Sequence, residues 1–249
     1  MKVCLSFDDG RDDAYYAFKI LKEKSLVASF HVATGFIDGS FVTDSFGIGR
    51  KPLTIEQLKE MKANGMDISS HGDRHVMEDI DFSVSVKKLR EWNLVDKRKK
   101  IGFSVPNSQF TEDELKRFIS NNEVELSYIR VGRSPKCYSF FSKVNYALYH
   151  LFHFQCFYNS FNKHNLIQNI DKYHLYSLVL TSDVRVKNVI KFIEKSKNKN
   201  AVLVIMVHSV IEKPQNKWEY SSLEFKKLVD YLSKNTTVVT LEELVNDAK

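Results

Sequence analysis

Short, almost unbroken apolar runs alternate with amphipathic segments along this 249-residue chain, and that alternation limits the fold more than any other feature. Residues 3–7, 28–33, 66–69, 101–105, 126–131, 175–180, 201–207 and 237–240 read as strands. Between the first two, residues 13–24 place Ala14, Ala17, Phe18 and Leu21 on one helical face. Thr54 can cap a helix to about residue 63, with Gln57 completing a capping box and Asn64-Gly65 ending it. Thr111 and Glu114 repeat that cap pattern. Further helices read at 83–94, at 186–194, and from Ser221 or Ser222 to 232. Strands covered on both faces are apolar throughout rather than alternating. Strands separated by helices form parallel sheets with crossover connections. The expected class is therefore α/β. In such folds reactive side chains stand at the carboxyl ends of strands.

Nothing in the composition divides the chain. Nine glycines and four prolines leave no linker-like stretch, and 249 residues suit one α/β barrel-sized domain, 1–249. One anomaly is an aromatic-rich segment at about 137–165, read as an inserted helical segment or packed lid. The net charge of +6 comes largely from lysines at 97–100 and 187–199, which read as solvated faces. The other reading is attraction to an anionic glycan, a nucleotide-linked sugar or a membrane surface. No motif for nucleic-acid recognition occurs. Cys4, Cys137 and Cys156 make an odd count without close spacing, unlike a disulfide framework. No charged-then-apolar leader opens the chain and no run of about 18 apolar residues crosses a bilayer. The expectation is a cytoplasmic protein without a transmembrane segment, with association at the inner membrane surface as the further expectation.

Three separated fragments carry the chemistry: Asp8-Asp9-Gly10 after the first strand, His71 to His75 after another, and His208 at the end of 201–207. Neighbouring carboxylates at a strand end point differently, so one can bind metal while the other faces substrate as a base. Gly10 permits the tight turn this needs. Two histidines four apart suit a shared zinc-like ion. Asp73 between them reads as a loop or cap residue. A terminal imidazole at His208 titrates near neutrality and can act as an acid. Together these are the parts of metal-assisted hydrolysis.

These fragments resemble the motifs of the NodB-homology polysaccharide deacetylases, carbohydrate esterase family four. Ser6-Phe7-Asp8-Asp9-Gly10 is similar to the first motif, which implies Asp8 as base and Asp9 as metal ligand. His71 to His75 is similar to the second, implying His71 and His75 as ligands, with Gly72 where Ser or Thr is usual. Ile205-Met206-Val207-His208 is similar to the last, implying His208 as catalytic acid. The resemblance implies a distorted (β/α) barrel of about seven parallel strands. It also implies one divalent ion, zinc by ligand type, with cobalt, nickel or iron also accommodated.

The chain departs from the third motif, where the family carries an Arg that orients the base. Here Phe103-Ser104-Val105-Pro106-Asn107-Ser108 resembles a variant lacking it, with Pro106 and Asn107 expected to shape the groove. Arg130, ending the next strand, is the expected replacement. Asp183 is the candidate for the fourth motif's aspartate. The implied substrate is an N-acetylated sugar of a surface polysaccharide or its precursor. The alternatives are a deacylase of a small amide and a catalytically silent carbohydrate-binding member of the fold.

Overall fold

The computed structural model describes residues 1–43, 46 and 49–248. Its strands are β1 (Lys2–Phe7), β2 (Ser29–Val32), β3 (Asp67–Ser70), β4 (Ile101–Ser104), β5 (Leu126–Arg130), β6 (Leu166–Ile167), β7 (Ser177–Val179), β8 (Val202–Val207), β9 (Ser209–Ile211), β10 (Glu219–Ser221) and β11 (Thr237–Val238). Its helices are α1 (Asp13–Glu23), α2 (Thr34–Asp38), α3 (Ile55–Ala63), α4 (Asp79–Glu91), α5 (Glu112–Asn122), α6 (Phe140–Phe152), α7 (Gln155–Asn162), α8 (Val186–Ser196), α9 (Ser222–Asn235) and α10 (Leu241–Asn246).

Seven parallel strands run in the order β5-β4-β3-β2-β1-β8-β7 and curl into a half-barrel. This is the expected α/β barrel-like architecture. Backbone bonds from Val131 to Leu175 (3.1 Å) and from Ser177 to Gly132 (2.9 Å) bring β5 against the chain entering β7. The two ends of the curled sheet thus approach each other. Short β6 joins β8 antiparallel, and β11 adds to the start of β1.

The main apolar core lies between the sheet and its helices. Phe7 stacks on Phe30 at 4.6 Å and meets Phe225 of α9 edge-on. On the sheet's other face a second apolar cluster, including Cys4, Leu175, Val202, Val204 and Leu241, adjoins a polar file. Ser6 Oγ lies 3.3 Å from His31 Nδ1, and His31 Nε2 lies 3.1 Å from the Tyr128 hydroxyl. Tyr128 in turn donates to Asp67 at 2.7 Å. Burial lowers the pKa of His31 to about 3, which keeps that imidazole neutral.

Both predicted capping boxes form, at Thr54–Gln57 and Thr111–Glu114. The last strand is shorter than its 237–240 reading. Thr240 instead caps α10, accepting from the Glu243 N–H while Glu243 returns to the Thr240 N–H. The helix expected at 83–94 begins earlier, at Asp79, because acidic Asp79 and Asp81 favour its positive N-terminus.

The aromatic segment forms the helical pair α6 and α7. Tyr149, Tyr158 and Phe161 are buried, whereas Phe140, Phe141, Leu151, Phe152 and Phe154 are exposed. No helix among the described residues is long and apolar enough to cross a membrane.

Candidate active site

Strand register assembles the first part of the site. β1 and β8 pair Phe7 with Val207, so the next residues, Asp8 and His208, leave the sheet side by side. The His71 N–H bonds the Val32 carbonyl at 2.9 Å, which brings the β3 end to the same rim. Asp8, Asp9, His71, His75, Asn107 and His208 all line one cavity of about 230 Å³.

The turn after β1 separates the two carboxylates. Asp9 has φ 75° and Gly10 φ 85°, and aspartate tolerates this left-handed region better than most residues. Asp9 Oδ1 then lies 3.4 Å from His71 Nε2 and 3.7 Å from His75 Nε2, and the two imidazole nitrogens are 3.1 Å apart. One donor atom from each of the three residues lies within 4.8 Å of the others. This set can hold one metal ion. The Ser104 carbonyl, 2.9 Å from His71 Nδ1, can only accept. The proton therefore sits on Nδ1, and Nε2 presents its lone pair to the cluster.

Arg11 takes the other oxygen of the same carboxylate, Oδ2, at 2.6 Å, and also donates to Ser209 Oγ at 3.0 Å. Burial alone would raise the Asp9 carboxyl. The neighbouring groups His71, His208 and Arg11 outweigh it and hold the group below the usual carboxylate range.

Asp8 faces the other way. Arg130, fully buried, bonds both Asp8 oxygens and Ser104 Oγ, and its other terminal nitrogen lies 2.9 Å from Met206 Sδ. Ser104 Oγ also donates to Asp8 at 3.3 Å. Burial would raise Asp8, but Arg130, His71 and His208 hold it ionised. The structure thus brings Arg130 against the carboxylate it was expected to orient.

His208 is half-buried, with its ring 5.0 Å from Trp218 and Nδ1 without a hydrogen-bond partner. Burial lowers its pKa, and the Asp9 and Asp8 carboxylates oppose that shift. Pro106 is buried in the turn after β4, while Asn107, at φ 55°, reaches the cavity. Asp183 bonds Thr181 and His150, both at 2.5 Å, and is not among the residues lining the cavity.

Gly72 has a local reason for being glycine. Its φ is +80°, and a Cβ there would run into the Asp81 carboxylate. Asp81 accepts the N–H groups of Asp73 and Arg74 at 2.8 and 2.9 Å, which fixes the loop carrying His71 and His75. Gly72→Ala should therefore cost about 1–3 kcal/mol of stability, from an unfavourable φ plus displacement of Asp81. Urea denaturation checks this; an unchanged midpoint would show that the loop adapts freely.

Sequence reading missed Arg11, Arg133 and Trp218, which also line the cavity, as does Tyr138 from the start of the aromatic segment. Arg11 adjoins the acidic motif and could have been flagged. Arg133 and Trp218 come from loops that carry no periodic signal.

A curled parallel sheet with a carboxylate–imidazole cluster at its carboxyl edge defines an α/β barrel-like protein with a potential metal centre. Residues 1–139 match the family model for polysaccharide deacetylase. The chain belongs to the polysaccharide deacetylase family. No curated protein sequence matches it. Among solved structures, a family 4 acetyl xylan esterase from Clostridium thermocellum, in complex with a cobalt ion, is 14% identical with a TM-score of 0.51. That match covers 99% of this chain and 91% of the other. The Bc1960 peptidoglycan N-acetylglucosamine deacetylase is 15% identical with a TM-score of 0.52, covering 97% and 86%. The Streptococcus pyogenes deacetylase PplD is 23% identical with a TM-score of 0.43; the match covers 53% of this chain and 56% of PplD. These likenesses concern the fold.

Proposed function

We propose that this chain is a divalent-metal-dependent hydrolase that removes the acetyl group from an N-acetylated sugar of a surface polysaccharide or its precursor. The single observation that carries this reading is the convergence of Asp9, His71 and His75 beside an independent, arginine-held carboxylate, Asp8.

Asp9, His71 and His75 would hold the ion. When bound, it would lower the pKa of water from about 15.7 towards 7 and polarise the acetyl carbonyl. Asp8 accepts the proton of the attacking water. Its suitability rests on ionisation: Arg130 and Ser104 keep it charged and aimed while burial excludes bulk solvent. His208, on the adjoining strand end, delivers a proton to the sugar nitrogen as acetate leaves. The carboxylates that favour its charged form oppose the burial that disfavours it. Asn107 and Trp218 line the space a sugar would occupy. The residues form one catalytic domain with the aromatic helical pair inserted.

Zinc is the ion of choice for a carboxylate and two imidazoles, and cobalt, nickel or iron suit the same donors. The test is acetate release from N-acetylated sugars. Activity should vanish with chelator and return on adding zinc or cobalt. Full activity in excess chelator would reject metal dependence. Sugar binding without acetate release at any metal concentration would favour a silent binding protein.

A further inference from the structure

Two arginines, Arg11 and Arg133, line the cavity and a third, Arg130, lies buried behind Asp8; their commitments differ. Arg11 is paired with Asp9 and Arg130 with Asp8. Arg133, half-buried beyond Gly132, pairs with no carboxylate among the described residues, and its Nε has no hydrogen-bond partner. Its guanidinium carbon lies 5.4 Å from the ring centre of Tyr146 and 5.3 Å from that of Phe161, both on the inserted helices. Lys217 sits 5.6 Å from the same Tyr146 ring and 5.9 Å from Trp218, which lines the cavity. It too pairs with no carboxylate among the described residues. Asp183, on this side, is engaged by Thr181 and His150. No Asp or Glu occurs anywhere from 126 to 170.

Aromatic faces fix a cation's position but leave its N–H donors unsatisfied. A half-buried guanidinium with idle donors therefore favours an incoming oxyanion. Its planar fork matches phosphate or carboxylate, and such charge-assisted bonds are the strong ones.

We propose that Arg133, seconded by Lys217, binds an oxyanion carried by the acetylated sugar, a phosphate or a carboxylate, at the rim of the active cavity. This rests on the deacetylase reading and narrows its substrate to anionic sugars. A neutral polymer would leave both cations without a partner.

The test measures binding and turnover separately on zinc-loaded protein. N-acetylglucosamine 1-phosphate, N-acetylmuramic acid and neutral N-acetylglucosamine are titrated by calorimetry, and acetate release is followed in parallel. Wild type should bind at least one anionic sugar about tenfold or more tightly than the neutral one, with the preference shrinking as salt rises. Which sugar gains identifies phosphate or carboxylate. Arg133→Gln should remove most of that preference, Arg133→Lys should keep part of it, and Lys217→Gln, on an exposed side chain, should reduce it about threefold. Equal affinity for all three sugars in wild type overturns the proposal. So does a loss in Arg133→Gln that is the same for neutral and anionic sugars. If Arg133→Gln fails to fold, an unchanged preference in Lys217→Gln and at high salt overturns it. Selective anion binding without acetate release supports the oxyanion site and rejects the deacetylase reading.

Discussion

Asp8→Asn should lower kcat for acetate release by about 10²–10⁴-fold while the protein still binds one equivalent of zinc. The amide keeps the shape of the carboxylate but cannot take a proton from water. It also loses the charge that Arg130 faces, so Arg130 becomes a buried cation without a counter-ion. Some loss of stability should therefore accompany the loss of rate. The proposed ligand set of Asp9, His71 and His75 is untouched, because the turn at Asp9 sends the two side chains to different partners. Metal content by atomic absorption and acetate release on the same preparation check both halves. Retained turnover would remove Asp8 from the role of base.

His71→Ala should lose metal and activity together. Zinc affinity should fall by more than the roughly 10–100-fold typical of losing only an outer partner of a ligand, since a ligand itself is removed. The change also deletes the bond to the Ser104 carbonyl and empties a fully buried position between β3 and β4. The contrast with Asp8→Asn is diagnostic. One variant keeps the ion and loses the chemistry, whereas the other loses both. Zinc affinity like wild type in His71→Ala would place the ion elsewhere.

The parts of this architecture legible in the sequence are those with local causes. Continuous apolar runs mark covered parallel strands, and Thr54–Gln57 and Thr111–Glu114 announce helix starts by cap chemistry alone. Thr240–Glu243 carries the same signal, but the apolar run before it reads as a strand continuing to 240. The carboxylate–imidazole cluster was legible because Asp9 and His71 closely follow apolar runs and His75 stands four residues beyond His71. Arg130 was legible only as the replacement for a missing arginine. Its approach to Asp8, 122 residues away, depends on the curl of the sheet, which no local pattern encodes. Trp218 and Arg133 reach the cavity from loops, and Tyr138 from a short 3-10 turn, where side-chain direction is set by tertiary contacts. Asp183 shows the converse: it is a plausible acidic residue by position, yet its partners are Thr181 and His150.

The hydrogen-bonded file of Ser6, His31, Tyr128 and Asp67 inside the curl has a mechanical consequence. Stacked aliphatic layers can slip and repack when one member changes volume. Donors and acceptors cannot, because each direction is tied to the next atom. That file is therefore the intolerant part of the lumen, and His31, 3.8 Å from Asp8, carries its rigidity up to that carboxylate. Evolution of new specificities in such a chain is steered outward, to the rim loops and the inserted helices, where a change of side chain leaves the inner file intact.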